Sequence, residues 1–160
     1  MKRLNFVIFI FLMSINIFAK TNVEKEVKKI REEFVKINSE KNYKVKTVNM
    51  GGNEMTRAYY RKNSELKKVV DQEPIPSNYI MEYYLNNDKV FFVYQSMIEE
   101  YESTVEYKKI EIRYYFDDDG TLIRCIENSK IYDKGNIPEK YREMAEGLPK
   151  TAFELEERVN

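Results

Sequence analysis

The sequence predicts an α+β fold: an N-terminal helix packed on an antiparallel meander sheet of about six or seven strands, with short C-terminal helices. Three observations predict it. Apolar residues recur at helical spacing early in the chain, near-alternating apolar runs separated by turn residues fill the middle, and helical spacing returns after residue 136.

The first 19 residues have the pattern of an export signal. Two basic residues precede an apolar stretch from Phe6 to Phe18, and Ala19 follows as the small residue of a cleavage site. A spanning helix needs about 20 predominantly apolar residues and this stretch is shorter, so we expect cleavage rather than an uncleaved membrane anchor. Residues 20–160 are then a single exported α+β domain, located in the periplasm or outside the cell.

Composition argues against several function classes. The chain has 27 basic and 27 acidic residues, and loss of the two basic residues at the start leaves a net charge near −2. That balance gives no electrostatic reason to bind nucleic acid. Cys125 is the only cysteine, so neither a lipid anchor at the cleavage site nor an internal disulfide is expected. Its apolar neighbours favour a buried small residue over a reactive thiol.

The opening helix has a marked start and one apolar face. Thr21 and Glu24 fit a capping box, in which each side chain satisfies a free backbone N–H of the other residue. The apolar face then follows with alternating spacings of four and three: Val23, Val27, Ile30, Phe34 and Ile37. The stripe ends near Asn38, too early for a coiled coil, so the helix needs another surface to cover.

Strand patterns begin after the helix. Tyr43–Met50 and Glu54–Arg61 flank a Gly-Gly-Asn turn, and Ser64–Gln72 forms the next run. Pro74 and Pro76 cannot donate to a central ladder, so they predict a break in the sheet.

A repeat follows from these runs. The segments "AYYRKNSELKKVV" from Ala58, "EYYLNNDKVFFVY" from Glu82 and "RYYFDDDGTLIRC" from Arg113 align without gaps. Each has a tyrosine pair, one further residue, a polar cluster and a second strand-forming run. This arrangement predicts three β-hairpins paired in sequence order.

The acidic cluster of the third segment raises the question of a calcium loop. If Gly120 were position 6 of an EF-hand, Tyr115 would be position 1 and Ile126 position 12, and neither can supply the required carboxylate. We therefore predict a tight turn, with weak opportunistic calcium binding as the alternative.

The stretch "YYFDDDGTLIR" resembles the tyrosine, glycine and leucine hairpins of MORN-like repeat proteins, and the layout is similar to that of small uncharacterised exported bacterial proteins. The resemblance covers the three hairpins. Gly120 occupies the glycine position, where Glu65 and Lys89 stand in the other two segments. MORN-like repeats are associated with partners and membranes, so the resemblance implies binding and carries over no catalytic residue.

The tyrosine pairs supply the candidate site. Adjacent strand side chains point to opposite faces, so Tyr83 and Tyr114 are predicted to face the core. The other members, Tyr60, Tyr84 and Tyr115, then form an exposed aromatic file that could grip a peptide, a glycan or another chain. The alternative is that tyrosine is simply a good half-exposed strand residue.

The C-terminal stretch returns to helical spacing. Pro138 suits a first helical position, Gly147 marks a stop, and Thr151 with Glu154 offers a second capping box. The apolar stripe of the first of these helices consists of Tyr141, Met144, Ala145 and Leu148. If these helices covered the tyrosine file, the file would not be a binding surface.

The lack of common catalytic residues and motifs in the sequence favours a non-enzymatic role. The chain has no histidine, and no nucleophile elbow, phosphate-binding loop or cysteine pair. We expect no cofactor and no metal, and a protein or glycan of the envelope or extracellular space as the partner. One alternative is a small-ligand carrier with a pocket lined by Tyr83, Phe92 and Tyr114. The other is a carboxylate-dependent hydrolase.

Overall fold

The described residues form an antiparallel eight-stranded sheet with helices on both faces. A computed structural model describes residues 22–50, 55–73, 78–100 and 107–157. The strands are hydrogen-bonded in chain order, β1 to β8, so the predicted meander is confirmed. The predicted N-terminal helix and short C-terminal helices are confirmed as well, whereas the sheet has eight strands rather than six or seven.

The elements follow one another with short connections. Helix α1 spans residues 22–39. The strands are β1 Lys44–Asn49, β2 Thr56–Lys62, β3 Glu65–Gln72, β4 Ile80–Asn86, β5 Lys89–Glu100, β6 Tyr107–Phe116, β7 Leu122–Glu127 and β8 Lys130–Asp133. The last two helices are α2 Glu139–Glu146 and α3 Ala152–Glu157.

Helix α1 forms where the apolar stripe predicts it. Val27, Ile30 and Ile37 are buried. The helix end is satisfied locally, because the Asn38 side-chain amide donates to the Phe34 carbonyl at 3.1 Å. The predicted cap Thr21 lies outside the described residues. Among the described residues, no helix combines the length and the apolar character needed to cross a bilayer.

The three predicted hairpins are β2–β3, β4–β5 and β6–β7. In all three, the pairing register shifts at a bulge directly after the second tyrosine of the pair. The third loop is a turn, as predicted: the Asp117 carboxylate accepts the backbone N–H groups of Asp119 at 3.1 Å and Thr121 at 2.8 Å. Gly120 has a φ of 78°, which glycine adopts without strain.

Strand β8 is the element that the sequence pattern did not predict. It has four residues and pairs with β7 through Glu127↔Lys130 and Arg124↔Asp133. The turn between the strands contains Asn128 with a φ of 52°. The Asn128–Ser129 pair between two apolar runs was the available signal for a turn. The four residues of β8, however, are too few to show an alternating strand pattern.

The sheet separates two apolar cores. On one face, Tyr59, Tyr83 and Tyr114 pack with Cys125 and with α2 and α3 through Tyr141, Ala145 and Leu155. On the other face, Tyr84, Phe92 and Tyr115 pack under α1. Cys125 is buried as predicted, and burial raises the pKa of its thiol to about 12. The alternative prediction of a pocket lined by Tyr83, Phe92 and Tyr114 is wrong. Phe92 lies on the sheet face opposite to that of Tyr83 and Tyr114.

A buried ion pair joins the first hairpin to α3. Arg57 and Asp71 face each other across β2 and β3, and the Arg57 guanidinium makes two hydrogen bonds to the Asp71 carboxylate. Its remaining amino group donates to the Leu155 carbonyl at 2.8 Å. Arg57 lies on the same face of β2 as the buried Tyr59, and its cross-strand partner allows the charge to be buried.

Candidate functional site

The three tyrosines of the predicted file lie in one line across the sheet. The register pairs Tyr60 with Lys68, Lys68 with Tyr84, Tyr84 with Phe92 and Phe92 with Tyr115. We call these five residues the aromatic row. The predicted alignment of the hairpins is therefore confirmed.

The predicted exposure of the file is wrong for two of its three members. Tyr84 is 1% exposed and Tyr115 is 4% exposed, whereas Tyr60 is half-buried. Helix α1 covers them: the Phe34 ring centroid lies 4.9 Å from that of Tyr84 and 5.2 Å from that of Phe92. The apolar stripe of α1 needed a surface, and this row is the most aromatic one available. Tyr84 and Tyr115 therefore belong to the core rather than to an exposed site.

The polar end of Tyr84 is satisfied inside the protein. Its hydroxyl donates to Glu82 Oε2 at 2.6 Å, and burial followed by this hydrogen bond raises the pKa of Tyr84. The Lys68 ammonium lies 4.8 Å from the Tyr84 ring centroid and donates to Glu82 Oε1 at 2.9 Å. These contacts leave Tyr84 no free group for a ligand.

An open groove lies beside α1 on the same face of the sheet. Its volume is about 500 Å³. It is lined by Ile30, Arg31, Phe34 and Val35 of α1 and by Glu82, Phe92, Tyr94, Arg113 and Tyr115 of the sheet. Val35 is 62% exposed, although it stands next to the buried aromatic residues. An exposed aliphatic side chain above an aromatic floor is the arrangement expected of a contact surface.

The floor of this groove continues across the sheet as a second row, parallel to the aromatic row. The register aligns Ala58, Val70, Glu82, Tyr94, Arg113, Ile126 and Ile131. Most of these side chains are half-buried, and Ile131 is 57% exposed. Helix α1 thus covers one row of its sheet face and leaves the next row partly accessible, except at Ile126, which is buried in the core under α1.

Charged residues hold the rim of the open groove in place. The Arg113 guanidinium carbon lies 5.7 Å from the Tyr94 ring centroid, and Arg113 also donates to Glu111 Oε2 at 2.8 Å. The Tyr94 hydroxyl donates to Glu111 Oε1 at 3.0 Å. Hydrogen bonds from Lys109 and Tyr94 lower the pKa of Glu111, so its carboxylate stays ionised. Tyr94 and Arg113 are therefore ordered before any partner arrives.

A second cleft, of about 690 Å³, lies on the other side of α1, at the turns of the second and third hairpins. Five carboxylates line it: Glu26, Glu33, Asp117, Asp118 and Asp119. Glu26 pairs with Lys29, Glu33 pairs with Lys36, and Asp117 accepts the turn N–H groups. In the part of the chain that the structure describes, no group of three or more acidic or cysteine side chains is placed to hold a metal ion. This cleft is therefore a weaker candidate than the open groove.

Among the groove residues, the sequence indicated Tyr115 as a binding residue and Phe92 as a pocket residue, but it did not indicate Val35, Tyr94 or Arg113. Val35 was the available signal, because it is an aliphatic residue outside the apolar stripe of α1. Tyr94 lies in β5, the second strand of the second hairpin, and stands outside the tyrosine pairs. Which strand residues remain open depends on where α1 crosses the sheet, and no local pattern encodes that position.

Comparison with known proteins finds no relative of this chain. No protein-family model, curated protein or solved structure matches the chain. The resemblance of the hairpins to MORN-like repeats therefore stays a prediction.

Proposed function

We propose that this protein is an exported, non-enzymatic binding module that captures a protein partner through the open groove and the second row. The observation that carries this proposal is the accessible row beside α1, where Val35 is 62% exposed above an aromatic floor. Aromatic residues and arginine are the side chains enriched at protein interfaces. Tyr94 and Arg113 supply both types at the groove.

The side chains at the groove are already held in place within the protein, and this supports a binding role. Tyr94 and Arg113 are held by Glu111, so association would immobilise few additional rotamers. Each rotamer-rich side chain ordered on binding costs about 0.5–1.5 kcal/mol, and these two are already fixed. The open shape of the groove favours a protein segment over a small molecule, which needs a more enclosed pocket.

The proposed location rests on the first 19 residues of the sequence. Their basic start, apolar stretch and Ala19 are typical of an export signal. The partner would then be a protein of the envelope or of the extracellular space.

The hydrolase alternative would require free carboxylates facing each other in a cleft. The second cleft has carboxylates, but Glu26 and Glu33 form ion pairs with lysines of α1. Asp117 is occupied by the turn. The geometry therefore favours binding.

A site-specific crosslinking experiment tests the proposal. A photo-crosslinking amino acid replaces Val35 in the exporting cell, and the matched control replaces Phe153, which is 66% exposed on α3. We expect a protein adduct of defined mass at position 35 and no such adduct at position 153. Equal adducts at both positions, or no polypeptide adduct at position 35, would refute the proposed surface.

A further inference from the structure

We propose that the segment bound by this groove is an acidic amphipathic helix of the partner, lying alongside α1 on the second row. This inference rests on the proposed function and names the chemistry of its partner. It follows from the geometry of the uncovered face and from the charges that border it.

Helix α1 runs across the strands rather than along them. Near its start, Glu24 contacts Arg124 of β7, and near its end, Asn38 contacts Lys68 of β3. The second row therefore runs beside α1 over most of its length. An extended peptide in this direction could not pair with the strands, because their backbone groups already bond to each other within the sheet plane.

The uncovered strip has the width of one helix. Successive rows on one sheet face are about 6.8 Å apart, since side chains repeat every two residues. Packed helices lie about 8–10 Å apart, so a second helix beside α1 would have its axis just beyond the second row. From β2 to β8 the strip is about 29 Å long, which corresponds to a helix of about 19 residues.

The strip also offers an apolar stripe for such a helix. Ala58, Val70, Tyr94 and Ile131 contribute from the second row, whereas Ile126 of that row is already buried under α1. Val35 adds an exposed aliphatic side chain from α1. An amphipathic helix would bury its own apolar face against these residues, as α1 does on the aromatic row.

The charges around the strip favour an acidic partner. Four cationic side chains border it: Arg31, Lys68, Lys109 and Arg113. Lys68 pairs with Glu82, and Lys109 and Arg113 both pair with Glu111. Four positive charges at the strip therefore face two negative charges. Within the described residues, Arg31 forms no ion pair; its guanidinium lies 5.9 Å from the Tyr115 ring centroid. Arg31 is thus an exposed cation at the edge of an apolar strip, and it acts only through space on Glu24, which Arg124 already binds.

The chain itself does not supply this helix. Residues 1–21 contain no aspartate or glutamate. Helix α1 of a second copy would present Lys25 and Lys28 to a strip that is already cationic. A separate acidic protein segment is therefore the occupant to which we commit.

Binding of designed peptides to the purified protein tests the inference. The probe is a 19-residue peptide with leucine at i, i+3, i+4 and i+7 spacing and glutamate at most other positions. One matched peptide has lysine in place of glutamate, and another keeps the composition but scatters the leucines. By fluorescence anisotropy, we expect the acidic amphipathic peptide to bind at least about tenfold more tightly than either matched peptide.

Variants of α1 locate the binding. Arg31→Glu is expected to weaken the acidic peptide about tenfold, because it replaces an attraction with a repulsion. Lys25→Glu makes the same charge change on the exposed face of α1 away from the groove, and we expect less than a twofold effect. Raising the salt from about 50 to about 300 mM should weaken binding as the charges are screened. Circular dichroism of both variants confirms that each is folded.

The outcomes separate this inference from the proposed function. Equal binding of the acidic and lysine peptides, or no effect of Arg31→Glu in a folded variant, would refute the acidic helix. The crosslink at position 35 would still identify a partner-binding groove. If the acidic peptide at about 1 mM showed no binding to the protein, the inference would likewise be refuted, since that concentration detects dissociation constants up to about 1 mM.

Discussion

At the scale of single residues, the tyrosine pairs explain how one sheet has two cores. Tyr83 and Tyr84 are neighbours in β4, and their rings enter opposite clusters. Tyr114 and Tyr115 repeat this arrangement in β6. Because successive strand side chains alternate between faces, each pair gives one large ring to each core. The pairs therefore serve packing on both faces.

Replacing Tyr84 with serine tests whether the aromatic row is core. Tyr84→Ser is expected to lower the free energy of unfolding by about 3–5 kcal/mol, because it removes a fully buried ring. Tyr60→Ser, at the half-buried end of the same row, is expected to cost less than half as much. Urea unfolding of the two variants gives the comparison. Similar losses for both would contradict the described burial.

The buried Arg57–Asp71 pair predicts a non-additive result. Asp71→Asn leaves the buried guanidinium without its counter-charge and is expected to cost about 3–5 kcal/mol. The double variant Arg57→Met with Asp71→Leu should recover much of this loss, since two apolar side chains need no desolvated charge. Denaturant unfolding measures both. If the double variant lost as much as the sum of its single changes, the pair would not act as a unit.

At the scale of elements, α1 is attached by its apolar face and by polar contacts at both ends. Glu24 contacts Arg124 near the start, and Glu40 forms an ion pair with Lys62 of β2 after the end. Arg124 is itself buried and also binds Asp133 of β8. Through Arg124, the first turn of α1 fixes the edge strand that the sequence pattern did not predict.

The contact between Glu24 and Arg124 predicts a pH dependence. The hydrogen bond from Arg124 lowers the pKa of Glu24 from its ordinary value of 4.5. A lowered folded-state pKa stabilises the fold above pH 4.5, and that stabilisation is lost as the pH falls through the lowered value. Because Glu24 is half exposed, Glu24→Gln should cost at most about 1 kcal/mol at neutral pH.

The measurement compares unfolding of the parent and of Glu24→Gln at neutral and at acidic pH. The difference between them should disappear in acid, where Glu24 of the parent is protonated. Glu32→Gln is the control, because its ion pair with Lys28 is exposed and 3.9 Å long. A stability difference for Glu24→Gln that persisted in acid would show that its effect is not due to charge.

At the scale of the whole molecule, the two cores share one sheet and should not melt separately. Helix α1 contacts one face, while α2 and α3 contact the other, and the same strands carry both sets of side chains. Loss of either layer exposes half of each strand's apolar surface. A domain of this size with a shared sheet is expected to unfold in one cooperative transition.

Two probes test that cooperativity. Far-UV circular dichroism follows the helices and the sheet, and tyrosine fluorescence follows the buried rings of both cores. We expect the two denaturation curves to coincide. Early loss of the helical signal, before the tyrosine signal changes, would mean that α1 forms a separate, weaker unit.

Apart from β8, the sequence determined the elements and their order, because these depend on local spacing. The stripe from Val23 to Ile37 predicted α1, and the tyrosine pairs predicted the three hairpins and the alignment of Tyr60, Tyr84 and Tyr115. Only the tertiary structure decided which face α1 covers. Its stripe matches any apolar surface, and the choice depends on non-local packing of Phe34 against Tyr84 and Phe92. That choice buried the predicted site and left Tyr94 and Val35 open, because a single helix is too narrow to cover a whole sheet face.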